Sequence, residues 1–320
     1  MKRVLWLLAM VLALAAGAPR AQDFPRQPIR IIVPFAPGTA ADVLARVVAD
    51  ELKAILAQPV EIEHRPGATG LVGTGSLAQA PADGYTIGLG VEATHVTIPL
   101  MKKKVAYDPV NDFTPLTLAV RTTMAIAVNP AVVPVTDLPG LLQVARTRPG
   151  GLSFGTMGEG SPQQLIGELL KQRTGAPLAH APYAGSAAAI EDLLAGKVGM
   201  VITPLATVAP HQDKLRIIAV ADATRVAGFP SVQAIADPLP GVVVTGWAGF
   251  FAPARLPPAV AAKLSGAIAA ALHKPAVMEA LRKRSMEPAA TSADEFRALL
   301  KSELATWGPV VEKAHMRRPD

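Results

Sequence analysis

Apolar runs of strand length alternate along this chain with longer segments of helical periodicity. Residues 29–35 are typical of a buried strand, whereas residues 39–56 place apolar side chains three and four positions apart, which is helical spacing. Further strands are predicted at 60–63, 85–89, 125–128, 153–156, 198–203 and 216–221, and further helices at 138–146, 162–173, 187–195, 257–271, 275–284 and 293–314. The alternation predicts an α/β protein with largely parallel sheets.

The N-terminus has the pattern of a secretory signal peptide. Lys2 and Arg3 precede an apolar run over residues 4–16, and small residues follow up to Ala21. The run is shorter than the roughly 20 apolar residues of a membrane span, so an uncleaved anchor is the less favoured alternative. We expect cleavage after Ala21 and a periplasmic product. The chain has no cysteine, which excludes both a lipid on an N-terminal cysteine and disulfides.

Length and charge narrow the classes of partner. Residues 22–320 are long enough for two domains. The formal net charge is +6, but the leader holds three basic residues and no acid, so the mature chain is only mildly basic. Aromatic residues make up 4% of the chain, too few for stacking platforms, and the clusters at 102–104 and 282–284 are typical of solvated surface. These features argue against a nucleic-acid partner and suit attraction of small anions.

Glycines and helix-capping residues follow several predicted strands. In open α/β sheets, ligands bind outside the carboxyl ends of the strands. After the first strand, Gly38 precedes Thr39 and Asp42, which have the spacing of a capping box. Gly38 leaves the backbone accessible, and the free N–H groups of the helix start would suit a carboxylate.

A second start has the same form. Gly158 and Gly160 precede Ser161, which can cap a helix, and Gln164 stands where it would complete a capping box. A third start lies at 183–186 before an alanine-rich helix. Caps chiefly satisfy the helix itself, so composition and spacing alone indicate a secreted α/β protein with loops suited to anions.

Nine blocks of sequence carry a family resemblance that runs from Phe24 to the C-terminus. They are FPRQPIRIIVPFAPGTAADVLAR, VEIEHRPGATGLVGT, APADGYTIGLG, YDPVNDFTPL, AVNP, APYAGSAAAIEDLLAGKV, LRIIAVA, TGWAGFFAPARLP and WGPVVEKA. In combination they resemble the Bug receptors, the substrate-binding components of tripartite tricarboxylate transporters. The resemblance implies a type II periplasmic-binding-protein fold, with two lobes around a ligand cleft joined by two crossover segments. The expected divisions are a signal peptide at 1–21, the first lobe at 22–122 and 247–320, and the second lobe at 123–246.

The resemblance also implies a ligand site and partners. The expected ligand is a small carboxylate-containing metabolite, an organic acid or an amino acid, held by a monomer for uptake or sensing. Expected partners are the membrane subunits of a tripartite tricarboxylate transporter or a sensor protein, with no nucleic acid and no cofactor. The implied first-lobe contacts are Phe35, Ala36, Pro37, Gly38, Thr39 and Asp42, with the loop Glu92, Ala93, Thr94 and His95. The implied second-lobe contacts are Gly158, Glu159, Gly160, Ser161 and Thr203.

Five positions depart from the usual family pattern. Thr39 replaces a glycine, Gln164 a common histidine and Thr203 a frequent aspartate. Glu92 and Glu159 add negative charge where family members commonly carry neutral residues. We therefore hypothesise a ligand with one carboxylate and an amine or neutral tail, because a second carboxylate would meet these glutamates.

Two alternatives to a receptor remain at this point. The six histidines form no metal-ligand spacing, and the HExxH, GxSxG and P-loop motifs are absent. A secreted hydrolase-like α/β enzyme would have to use His95 as its general base, with no evident nucleophile beside it. A structural or adhesive secreted protein would bind no small ligand. We expect a binding protein that catalyses nothing.

Overall fold

The computed structural model describes residues 24–226, 228–240, 242, 244–284 and 286–316. The strands are β1 Ile29–Val33, β2 Val60–His64, β3 Thr86–Val91, β4 Phe113–Thr122, β5 Met124–Val128, β6 Leu152–Thr156, β7 Leu178–Pro182, β8 Met200–Pro204, β9 Arg216–Val220, β10 Gln233–Ala234, β11 Gly246–Pro253 and β12 Glu287–Pro288. The helices are α1 Ala40–Leu56, α2 Leu71–Ala78, α3 Ile98–Met101, α4 Leu138–Thr147, α5 Pro162–Thr174, α6 Ser186–Leu194, α7 Leu205–Val208, α8 Pro258–Leu272, α9 Pro275–Arg282 and α10 Ala293–Lys313. The predicted α/β class is confirmed. The signal peptide predicted at 1–21 lies outside the described residues.

The strands form two six-stranded sheets. The first has the order β12-β4-β11-β3-β1-β2, and the second has the order β10-β9-β5-β8-β6-β7. The prediction of largely parallel sheets is wrong, because β11 is antiparallel to both of its neighbours and β5 is antiparallel to both of its own. These strands join the sheets and enter each one against the direction set by its strand–helix–strand units. The result is a pair of mixed sheets.

The chain passes from one sheet to the other in very few residues. β4 of the first sheet ends at Thr122, and β5 of the second sheet begins at Met124. The chain returns to the first sheet at Gly246, where β11 begins and pairs along the length of β4. Sequence periodicity missed both β4 and β11. All eight residues of β11 are buried, so it shows no alternation of apolar and polar residues, and Pro115 interrupts β4.

One apolar cluster reaches from the first sheet into the second. It includes Leu77 and Trp307 on the first side and Phe154 and Leu165 on the second, all fully buried or nearly so. Helix α10 packs against β4 and also against α5, and the Gln172 side-chain amide donates to the Val310 carbonyl at 3.0 Å. The two sheets are therefore joined along this side by core packing as well as by the chain itself. None of the described helices is long and apolar enough to cross a membrane.

Candidate functional site

The first helix start follows β1 and is built around a glycine. Gly38 has φ +83°, a left-handed conformation that favours glycine, and its N–H donates to Asp42 Oδ2 at 2.8 Å. The Thr39 hydroxyl donates to the Ala36 carbonyl at 2.9 Å and accepts from the Asp42 N–H at 3.4 Å. The segment from Ala36 to Ala40 is exposed while Asp42 is buried. The turn is thus held by the buried Asp42 side chain, while its own residues are exposed to solvent.

The Asp42 carboxylate is fully engaged by its own surroundings. Besides the Gly38 amide, it accepts from Arg46 Nε at 3.0 Å and contacts His64 Nε2 at 2.7 Å. Burial raises the pKa of Asp42, but hydrogen bonds from Gly38, Arg46 and His64 outweigh burial and bring it to about 2. This carboxylate stays ionised at neutral pH and holds the turn in place.

The second helix start, after β6, repeats the first in hydrogen-bond pattern. Gly160 has φ +79°, and its N–H donates to the side-chain oxygen of Gln164 at 2.8 Å. The Ser161 hydroxyl donates to the Gly158 carbonyl at 2.7 Å and accepts from the Gln164 N–H at 3.3 Å. The side chain of Glu159 is exposed. Here a neutral amide does what a carboxylate does in the first turn.

The predicted capping boxes differ from the observed ones in one bond. In a capping box, the side chain at the third helical position accepts from the N–H of the cap residue itself. Asp42 and Gln164 instead accept from Gly38 and Gly160, each one residue before the cap. The positive φ of each glycine turns its N–H toward the helix. The N–H of the cap residue is consequently not used by that side chain.

Residues 92–95 do not form the loop that the sequence predicted. They lead into a π-helical turn at Ala93–Thr97, which continues directly into α3. Thr94 and His95 have no exposed surface, and Glu92 is 2% exposed. The expectation of a loop is wrong, because this segment is helical and most of its side chains are buried, His95 against Phe251. Ala93 keeps partial exposure.

His95 lies in an aromatic core. Its ring stacks on Phe251 with centroids 4.1 Å apart and planes at 9°, and Phe113 lies 4.8 Å away. Its Nδ1 is 3.0 Å from the Thr94 hydroxyl. Burial lowers the pKa of His95 to about 3, so the ring is neutral. A ring with no exposed surface cannot reach a substrate, and the structure gives no support to the hydrolase alternative.

Glu92 does not bring negative charge to an open surface. Its Oε2 accepts from the Thr97 hydroxyl at 3.3 Å. Burial first, and then the nearby charge of Glu303, raise the pKa of Glu92 well above its ordinary value. The hypothesis that two glutamates repel a second ligand carboxylate therefore loses the contribution of Glu92. Glu159 remains as the exposed acid of the pair.

Phe35, which follows β1, and Thr94, which follows β3, meet near the carboxyl ends of these two strands of the first sheet. A Cβ built on Gly70 would lie 2.8 Å from the Thr94 methyl and 3.1 Å from the Phe35 ring, so this glycine lets both side chains converge. Gly70 is not among the site residues predicted from the sequence. Its φ of +95° is the property that requires glycine, and the surrounding letters do not reveal it.

The second helix start approaches the first sheet's side of the molecule. A Cβ on Gly160 would lie 3.5 Å from Met101 Sδ, at the end of α3. Thr203 lies in β8 opposite Ala125, is 1% exposed, and its hydroxyl has no partner among the described residues. The predicted residues are thus divided between two helix starts, one in each sheet's half of the chain, and buried positions at Glu92, Thr94, His95 and Thr203. In the described part of the chain, no group of three or more His, Asp or Glu side chains could hold a metal ion.

The two mixed sheets, each with a glycine-containing helix start after a strand, define a class, the two-lobe binding proteins. A family model described as "Tripartite tricarboxylate transporter family receptor" matches residues 44–316. BugT of Bordetella pertussis is 33% identical over 319 residues, covering 98% of this chain and 98% of that protein. The chain therefore belongs to the receptor family of the tripartite tricarboxylate transporters, whose members are periplasmic solute receptors.

Two solved structures show the same fold. R. palustris Rpa4515, solved with adipate, is 32% identical with a TM-score of 0.76, covering 91% of this chain and 98% of its own. MatC from Rhodopseudomonas palustris, solved with bound malate, is 28% identical with a TM-score of 0.72, covering 90% of this chain and all of its own. Both neighbours were thus solved with small dicarboxylic acids.

Proposed function

We propose that this chain is a periplasmic receptor that binds a small organic acid between two lobes and catalyses no reaction. The pair of matched helix starts carries the proposal. The first-turn N–H groups of α1 and α5 have no partner within their helices, and such groups favour a carboxylate. The ligand contacts are those predicted from sequence, with Phe35 to Thr39 on one side and Gly158 to Ser161 on the other.

Three sequence predictions become part of this proposal. The first lobe comprises residues 22–122 and 247–320, and the second comprises residues 123–246. Asp42 and Gln164 hold the binding turns, and Thr203 lies behind the second turn as a neutral hydroxyl. Ala93 is the part of the 92–95 segment best placed to meet a ligand, because it retains exposed surface while its neighbours do not.

The ligand class follows from the neighbours and from the site. The neighbours solved with adipate and malate support an organic acid over a cationic or apolar ligand. Because Glu92 is buried and its pKa is raised well above its ordinary value, the site tolerates a second carboxylate better than the sequence implied. We therefore place C4 to C6 dicarboxylates beside monocarboxylates in the ligand class.

The surroundings of the receptor complete the proposal. The signal peptide is cleaved after Ala21, and the mature protein acts as a monomer in the periplasm. It delivers its ligand to the membrane subunits of a tripartite tricarboxylate transporter or to a sensor protein. The mild positive charge of the mature chain favours capture of anions from solution.

The test is a thermal-shift screen of the mature protein with malate, adipate, aspartate and citrate, followed by calorimetry. A ligand at 100 times its Kd should add about 2.7 kcal/mol of stability. We expect Ser161→Ala to weaken binding of the best ligand. Asp137→Ala is the matched control, since Asp137 caps α4 through the Gly140 N–H at 2.7 Å, away from the proposed site.

Each alternative has its own result. Stabilisation by none of the acids would contradict the receptor proposal and favour a structural or adhesive role. Conversion of the bound acid, followed by chromatography, would show an enzyme. Equal loss of affinity in Ser161→Ala and Asp137→Ala would remove the second turn from the site.

A further inference from the structure

A partly buried carboxyl group on α10, that of Glu303, lies against both strands that join the lobes. The indole N–H of Trp247 donates to Glu303 Oε2 at 2.7 Å. Trp247 is the second residue of β11 and stands directly opposite Arg121, the penultimate residue of β4. The guanidinium of Arg121 attracts the Glu303 carboxylate. Glu303 thus interacts with the chain where it leaves the first sheet and where it returns.

A second carboxyl group faces the same region. Glu92 follows β3 and leads into the π-helical turn, against which α10 packs. The Oε2 atom of Glu92 accepts from the Thr97 hydroxyl, but its Oε1 atom has no partner in the described residues. The charges of Glu92 and Glu303 repel one another. Glu303 has the Arg121 guanidinium and the Trp247 indole N–H as favourable partners, whereas Glu92 has the Thr97 hydroxyl.

The remaining charged groups nearby are already committed or neutral. His95, in the π-helical turn, is neutral above about pH 3. Glu287 in β12 stands opposite Arg121 in β4 and forms a salt bridge with Arg282 at 2.7 Å. On α5, which also packs against α10, Glu168 is paired with Lys171 at 3.0 Å. Arg121 is the cation that acts on Glu303.

Protonation of Glu303 falls in an accessible range of pH. Burial raises the pKa of Glu303 to about 7, although the Trp247 N–H and Arg121 favour its charged form. The pKa of Glu92 is also raised, by burial and by Glu303. A second negative charge in this region would require hydration, and Glu92 and Trp247 are 2% and 4% exposed in the present arrangement.

We propose that Glu303 is a positioning residue of the hinge, which together with Glu92 holds a proton beneath the two connecting strands and keeps the lobes closed while it does so. Loss of the proton admits water between α10 and the strands and opens the cleft. Because Glu92 also begins the turn that carries Ala93, the proton couples the hinge to the first-lobe wall of the proposed site. The hinge part of this inference stands without any ligand, and only the affinity part rests on the proposed function.

The ligand-free mature protein tests the hinge. Its tryptophans are Trp247 and Trp307, so intrinsic fluorescence reports on the Glu303 hydrogen bond. Between about pH 5.5 and 8.5 we expect a fluorescence transition near pH 7 and a larger radius of gyration by X-ray scattering at high pH. Glu303→Gln keeps an acceptor for the indole and should abolish both changes. Asp294→Asn removes an exposed carboxylate from the same helix and should leave both unchanged.

A second variant separates charge coupling from simple structural support. Glu92→Gln removes the repulsion and leaves Glu303 in place, so the transition should move to lower pH. Circular dichroism at each pH confirms that the variants are folded. A wild type with constant fluorescence and radius would overturn the proposal, as would a transition that survives Glu303→Gln.

Affinity provides the last arm, with malate as the probe. If only the protonated pair permits closure, about one tenth of the protein is competent at pH 8, and the Kd should rise about ten-fold from pH 6. Glu303→Gln should bind with the same Kd at both values. An equal wild-type Kd at pH 6 and pH 8 would overturn the coupling. Absence of malate binding at every pH would count against the proposed ligand class, while the ligand-free titration still decides the hinge.

Discussion

The helix starts after β1 and β6 have the same hydrogen-bond geometry but differ in charge. In each, a glycine with φ near +80° donates to the side chain four residues later at 2.8 Å, and a hydroxyl residue caps the helix. That side chain is an ionised carboxylate in Asp42 and a neutral amide in Gln164. One turn further along each helix, the first has Arg46 and the second has Glu168.

The difference assigns different roles to the two turns. Arg46 compensates the charge of Asp42 and His64 is hydrogen-bonded to it, yet a ligand carboxylate in the first turn would still approach an ionised acid. In the second turn the side chain that holds the turn is a neutral amide, and the acid of this segment, Glu159, is exposed to solvent. A backbone geometry can therefore be conserved within one molecule while its preference for an anion changes. We expect the second turn to hold the carboxylate more strongly.

The largest expected effect is on stability. Asp42→Ala removes the shared acceptor of Gly38, Arg46 and His64, and we expect the free energy of unfolding to fall by about 3 kcal/mol. Gln164→Ala leaves only the Gly160 amide without that partner and should cost about 1 kcal/mol. Urea unfolding of both variants at pH 7 measures the difference. Equal losses would mean that Arg46 and His64 add nothing to the role of Asp42.

The next effect is on the pH dependence of stability. The lowered pKa of Asp42 means that its contribution is present above about pH 4 and is lost as pH falls through about 2. Gln164→Glu should behave in the opposite way. A carboxyl there would be buried beside Glu168 without a cation of its own, so its pKa should be raised and its stability lost as pH rises above about 4.3. We expect a cost of about 2 kcal/mol at pH 7.

Unfolding midpoints between about pH 3 and pH 8 measure this contrast. Gln164→Ala is the matched control, because it perturbs the same hydrogen bond without adding charge. A Gln164→Glu variant whose stability does not decline with pH would show that the second turn accommodates charge as readily as the first.

Loss of the caps should affect the two turns alike. Thr39→Ala and Ser161→Ala each remove one acceptor for a helix N–H, and each should cost about 1 kcal/mol. The two losses are expected to agree closely, because the cap bonds are the part of the two turns that does not differ. A loss twice as large in one variant, by urea unfolding, would show that the shared geometry conceals unequal support.

Both helix starts could be predicted from the sequence, but the hydrogen-bond partners that hold them could not. Gly38 with Thr39 and Gly160 with Ser161 are local patterns, which can be recognised in the sequence because the residues are adjacent. One partner of Asp42, His64, is 22 residues away in the sequence. The burial of Glu92 and His95 depends on β11 and α10. Such contacts are set by tertiary packing. The predicted loop at 92–95 failed for that reason, and so did the assignment of the connecting strands.

The smallest expected effect concerns what holds the Asp42 carboxylate. Arg46 is about half exposed, at 54% of its side chain, so solvent and salt weaken its pair with Asp42. Arg46→Ala should therefore lower the free energy of unfolding by only about 0.5 kcal/mol, and less at high salt, as for other pairs spaced four residues apart on a helix. The Gly38 and His64 contacts would remain. We expect the pKa of Asp42, followed by NMR of its side-chain carboxyl, to rise in Arg46→Ala but to stay below its ordinary value. The control is Lys53→Ala, which removes an exposed cation near the other end of α1, where Lys53 pairs with Asp50 at 2.8 Å. A pKa of Asp42 that returns to its ordinary value in Arg46→Ala would show that the charge, and not the buried hydrogen bonds, distinguishes the first turn from the second.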